Sequence, residues 1–512
     1  MIFTIKHTTS IPYISLSLII LMTGIFTPAL SQKVTRIEIL NSDSMEKDEK
    51  TANAIKYIGN VIFRQDEALM YCDSAYFFTE ENSVTAYHNI HIEQGDTLDL
   101  YGDFLTYDGN ERLAEITENV KLIDRENILT TNNLDFNLRT NIGYYINGGK
   151  IINGENNLES GIGFYYSNLK LFHFRDSVVI LNPDYTIYAD TLKYNTVSEV
   201  AYFLGPTEII SKDNYIYCEN GWYDTKKDIA QFNENAYLVS KGQYLKGDSL
   251  YYERETGLGK AYDNVELFDS AQNIILKGRY AIYKEEPEYA LLTESAQFIQ
   301  IADEDTLYMH ADTLESVLDS SGVKKILKAY YHVKIFREDM QGKCDSLVYL
   351  ESDSVFQLFR EPVLWSEENQ LTAEHIALHL ANKKLHYIDM ISSSFIISQQ
   401  DSIRYDQIKG KNMTGYFVNN KLVRIEVKGN GQTIYYAKDQ GELIGINHAE
   451  SSDLIIYLKD SKINRINLIM APKATLYPPE GSEEIETKLK GFIWLEKFRP
   501  ASKEDIFIWE KN

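Results

Sequence analysis

Proline is scarce in these 512 residues, with 10 copies, and cysteine is scarcer, with 3. No proline-rich or glycine-rich run marks a flexible linker between one part of the chain and another. An excess of basic residues is missing too: 51 Lys and Arg stand against 75 Asp and Glu, a formal charge of −24. That balance argues against nucleic acid, whose phosphates need neutralising, and against docking on anionic membrane surfaces. Catalytic motifs are also missing. There is no GxSxG elbow, no Gly-rich phosphate loop and no Cys/His pairing with a workable geometry, so neither an enzyme nor a cofactor is expected.

Tyrosine, by contrast, is abundant, with 37 copies. Aromatic and β-branched richness of this kind suits half-buried pleated surfaces, and the expectation is a mostly β protein. The first residues read as an export signal. Lys6 precedes an apolar stretch from Ile11 to Phe26, and Ala29-Leu30-Ser31 offers small residues for cleavage. A signal peptide over 1–31 and a mature chain from Gln32 are expected, without the cysteine of a lipoprotein.

A local pattern of a small residue, an acid and then alternating apolar residues recurs along the chain. Its register positions are Asp73, Asp103, Asn132, Gly161, Asp190, Glu219, Asp248, Arg279, Asp312, Asp345 and Glu374, in steps of 29 to 33 residues. A fixed period of this size is the signature of a repetitive, quasi-one-dimensional fold. One residue earlier stands a column of small side chains, which includes Cys72, Cys218 and Cys344 beside glycines and alanines. Cysteine is therefore read as a compact buried hydrophobe, and the three thiols, four and five units apart, are expected to stay unpaired.

Two residues after the register position the column is apolar or Gly, and four after it nine of eleven members are aromatic. Positions −1, +2 and +4 cannot share one face of a straight strand, so a bulge or bend near the acid is expected. Second strands open on Asn or Gly, as in GNVIF and NVELFD, and each unit is read as two or three short strands. The period loosens from about residue 300. This divides the chain into a regular body over 32–300, a less regular one over 301–470 and a tail over 471–512 with a short helix.

In tandem behind an export signal, the GNVxL and small-Asp-x-apolar-x-aromatic units resemble the OstA-like family, which includes LptA and the periplasmic part of LptD. The resemblance covers residues 55–300 well and 300–470 loosely. It implies a β-jellyroll trough in the periplasm, with outer-membrane association as a further expectation, whose apolar interior holds the acyl chains of lipopolysaccharide. It also implies end-to-end strand pairing with inner-membrane LptC-like and outer-membrane LptD-like proteins. On this register Leu105, Tyr107, Leu134, Phe136, Leu192, Tyr194, Leu250 and Tyr252 line the trough.

The stacked acids lack an Asp-x-Asp-x-Asp-Gly calcium loop and read as outward charges that keep strand edges apart. The histidines of HIALH, His375 and His379, have zinc-protease spacing, but Ile376 stands where the catalytic Glu belongs and the segment has strand character. A β-solenoid that binds or cleaves polysaccharide through an outward aromatic column is the alternative function. An outer-membrane barrel is disfavoured by the regular column of small residues and acids.

Overall fold

The computed structural model describes residues 35–510 apart from 48–52, 96–97, 241, 302–305, 382–383, 420, 460–461 and 480–484. The expected signal peptide over 1–31 lies outside the described residues. Within them the protein is all-β: 34 strands join one continuous antiparallel sheet, and the helical elements are single 3-10 turns.

From Ala54 the chain runs up and down in strands of 11 or 12 residues, Ala54–Gln65, Ala68–Phe78, Ser83–Gln94 and Leu98–Asp108 among them, each paired with the next. A unit thus contributes two long strands instead of two or three short ones. The Asn and Gly residues that read as turns are bends inside a strand. Ile58 faces Ser74 and Val61 faces Cys72, so Gly59 and Asn60 together oppose Asp73. Both have positive φ, as do His88-Asn89, Glu118-Asn119, Glu234-Asn235 and Asp263-Asn264. Two left-handed residues against one make a bulge that bends the strand without ending it.

The bend also reverses the alternation of side chains. Before it, Ala68, Met70 and Cys72 point inward; after it, Ala75 and Phe77 do, and all five are buried. The −1, +2 and +4 columns therefore share one interior, as the expected bend requires. Aligned from strand to strand, the bends form a ridge along which the sheet folds into two facing walls. One wall carries the column of small residues, the other the apolar and aromatic columns.

The acids do not serve the purpose expected of them. Asn89 Nδ2 donates to Asp73 Oδ2 at 2.8 Å, Asn119 to Asp103 at 2.6 Å, Asn235 to Glu219 at 3.0 Å and Asn264 to Asp248 at 2.9 Å. Each acid thus ties the bend of the strand that follows it, a local hydrogen bond along the ridge rather than a charge fending off other edges. Where Arg279 interrupts the acid column it meets Asp263 at 2.9 Å, on the bend of the strand before it instead of the one after.

Two large clusters make up most of the core. One runs from Ile37 to Ala296 and the other from Met309 to Ile456, while Leu314 packs on both and the sheet crosses without a break. Beyond Lys473–Tyr477, which still pairs with the sheet, the tail crosses the outer face of the small-residue wall as a strap. Gln407 donates to Thr487 O at 2.9 Å and accepts from Leu489 N at 2.8 Å; Gln370 repeats the grip on Ile493 O and Leu495 N at 2.8 and 2.7 Å. Phe498 packs on Val363 and Trp365. The short helix expected in the tail is, among the described residues, the two 3-10 turns Glu496–Phe498 and Asp505–Phe507.

Candidate functional site

The candidate site is the space between the walls. All eight residues expected to line it share the inward face of the aromatic wall, since Leu105 pairs with Ile116, Tyr107 with Ala114, Leu192 with Phe203 and Leu250 with Ala261. They are not equally open. Leu105, Tyr107, Leu134, Phe136, Leu192 and Leu250 are buried among the protein's own side chains, Tyr194 is half-buried and Tyr252 is exposed.

The aromatic column measures how the interior changes along the molecule. Phe136 is 0% exposed, Tyr252 36% and Tyr283 45%, and Leu378 returns to 6%. One sequence position is therefore closed, open and closed again. Within the open stretch each inward tyrosine has a small neighbour on the adjacent strand: Tyr223 pairs with Ala230, Ala230 with Tyr252, Tyr252 with Gly259, Gly259 with Tyr283 and Tyr283 with Ala290. A Cβ added to Gly259 would meet nothing nearer than 3.9 Å, so this spot has room. Burial, ahead of the neighbouring Glu285 carboxylate, pushes the Tyr252 phenol above its usual range, and burial acts the same way on Tyr283. These two phenols are therefore uncharged at neutral pH.

The opposite rim explains the closure. Gln65 Nε2 crosses from the small-residue wall to Gly109 O at 2.8 Å, and its Oε1 accepts from the Tyr107 hydroxyl. Arg112 pairs with Asp66 across the same gap. Gln94 reaches Leu138 O at 3.0 Å and Asn141 Oδ1 at 2.6 Å, and Asp124 meets Lys170 Nζ at 3.0 Å. Gln65, Gln94 and Asp124 occupy one column that continues through Asn153, Asn182, Ser211, Ser240, Asp269 and Gln300. Asn153 and Asn182 bond asparagines of their own wall, and Ser211 its own turn at Asn214 O. The column lies outside the repeat motif, although its spacing of 29 to 31 residues is present in the sequence.

The remaining candidates do not converge. His375 stacks on Phe359 at 4.7 Å, whereas His379 stacks on Tyr387 at 4.1 Å and pairs with Asp389 at 3.2 Å. They lie along one strand, His375–Ala381, each in its own contacts. On the outer face His91, Glu93 and Asp99 bring ligand atoms within 4.8 Å of one another, but His91 is also sandwiched between Tyr71 and Tyr101 and bonded to Asp99 at 2.8 Å. Tyr215, Tyr217 and Tyr244 gather around Tyr237 on the outer face, with ring centroids 5.3 to 5.9 Å from it.

Residues 34–190 and 186–248 match the family profile described as OstA-like protein. Among solved structures, the crystal structure of LptH, the LptA homologous periplasmic component of the conserved lipopolysaccharide transport device from Pseudomonas aeruginosa, aligns with 29% of this chain and 82% of its own. The identity is 10% and the TM-score 0.16. No curated protein matches the chain.

Proposed function

We propose, from the match of residues 34–248 to the OstA-like profile, that the chain is a non-catalytic periplasmic protein that shields the acyl chains of lipopolysaccharide between its two walls. It would carry them as part of a bridge with inner-membrane LptC-like and outer-membrane LptD-like proteins. The observation that supports this reading is the aromatic column, inward, apolar and exposed at Tyr252 and Tyr283. An apolar face of this kind gains roughly 0.8 kcal/mol for each methylene it buries and needs no basic patch. Lipid extraction and mass spectrometry of the purified protein test the proposal: co-purified lipid A is expected. A lipid-free protein that binds or cleaves polysaccharide would favour the alternative, which has the outer cluster around Tyr237 as its own support.

A further inference from the structure

We propose that the interior is interrupted, so that acyl chains do not thread the molecule from end to end but enter sideways, through a window between the strands Val200–Ser211 and Leu307–Leu318. This rests on the lipid-shielding reading above and adds where the lipid lies and how it gets in. On the N-terminal side the mouth is latched by Gln65, Gln94 and Asp124, and the space behind is filled by Phe63, Phe136, Phe172 and Phe174, each at most 2% exposed. A chain passing there would have to displace packed rings and break the latches, with no space gained in return. On the C-terminal side Leu347, Leu358, Ile376, Met390 and Ile425 fill the interior in the same way.

Between these plugs the column runs Ser211, Ser240, Asp269 and Gln300: the serines are too short to span the mouth, Asp269 is held by Gln243 and its own turn, and among the described residues none of the four bonds the facing wall. The window comprises eight strands, whose seven spacings of about 4.8 Å make it roughly 34 Å long. Its inward tyrosines stand on alternate strands, roughly 9.6 Å apart, and Ala230, Gly259 and Ala290 floor the slots between them. A slot of that width takes one hydrocarbon chain lying along the strand that floors it. The two filled sections then act as rigid spacers that hold the window at a fixed place along the molecule.

Photo-crosslinking residues introduced singly at Tyr107, Tyr165, Tyr252, Tyr283 and the outward Tyr202 of the full chain, in cells, test this. Capture of lipopolysaccharide is expected at 252 and 283, with loss of capture at 107, 165 and 202. Gly259→Leu, which fills a slot where a Cβ has room, should lower capture at 252 and 283 while the β circular-dichroism signal stays unchanged. Capture at 107 and 165 equal to that at 283 would overturn the interruption and leave the lipid reading standing. Capture at none of the four inward positions would overturn the lipid reading and the window with it.

Discussion

Asn235 holds a left-handed backbone, with φ of 56°, and at the same time donates its side-chain amide to Glu219 at 3.0 Å. Few residues do both: glycine gives the backbone without the bond, and a β-branched residue gives neither. Asn235→Gly should therefore cost only the bond, roughly 0.5–1.5 kcal/mol, and Asn235→Val a further strain of about 1–2 kcal/mol. Hydrogen exchange over 214–240 reads the difference; equal loss of protection in the two variants would show that the backbone is not the constraint. Asp406 carries a different kind of strain. It is buried and accepts from the Tyr436 backbone N–H at 2.8 Å, and burial, outweighing that bond and the Lys438 charge, pushes its carboxyl up to about 7. The folded state then holds the proton more tightly than the unfolded chain, whose Asp titrates near pH 3.9. Stability from this site is complete below about pH 4, falls as the pH rises towards 7 and is level above that. Asp406→Asn should match the parent protein at pH 4 and exceed it at pH 8 by on the order of 4 kcal/mol in chemical denaturation. A constant difference across that range would show that the carboxyl is not the titrating group.

At the scale of strands, the columns of the repeat were legible because period two and a small residue at a tight place leave a mark at every copy. Cys72, Cys218 and Cys344 are buried and unpaired, as three copies of one packing position should be. The acids were misread because their partners lie on the following strand: Asp73 and Asn89 are 16 residues apart, as are Asp103 and Asn119, and only the bulge makes them neighbours. The strap was illegible for a plainer reason. Gln370 is fully buried and grips Ile493 and Leu495, which are more than 120 residues away, and no local pattern announces such a contact. Removing that side chain takes the partners from the part-buried Ile493 C=O and Leu495 N–H, at about 0.5–1.5 kcal/mol for each bond. Gln370→Ala should accordingly raise hydrogen exchange over 485–499 while the strands beneath keep their protection. If strand and strap were to exchange together, the tail would be part of the sheet's own cooperative unit.

Across the whole molecule, a sheet in which each strand meets mainly its two neighbours opens locally, section by section. The aromatic column could not reveal that its members differ, since Phe136 and Tyr283 occupy one register position; what differs is the opposite rim, where Gln65 and Gln94 give way to Ser211 and Ser240. The cysteines report on this directly, because Cys218 lies in the window section and Cys344 in the filled C-terminal one, at the same register position and both buried. Burial pushes the Cys218 thiol up to about 12 and raises that of Cys344 as well, so neither reacts at neutral pH until its section opens. Variants that keep a single cysteine should therefore be labelled by a thiol reagent at the rate of local opening. Cys218, behind an unlatched mouth, should react well before Cys344, and added lipid A should slow Cys218 while leaving Cys344 unchanged. Equal rates would mean that the latches do not govern opening, and slowing at both cysteines would mean that lipid acts on the stability of the entire stack instead of on the window.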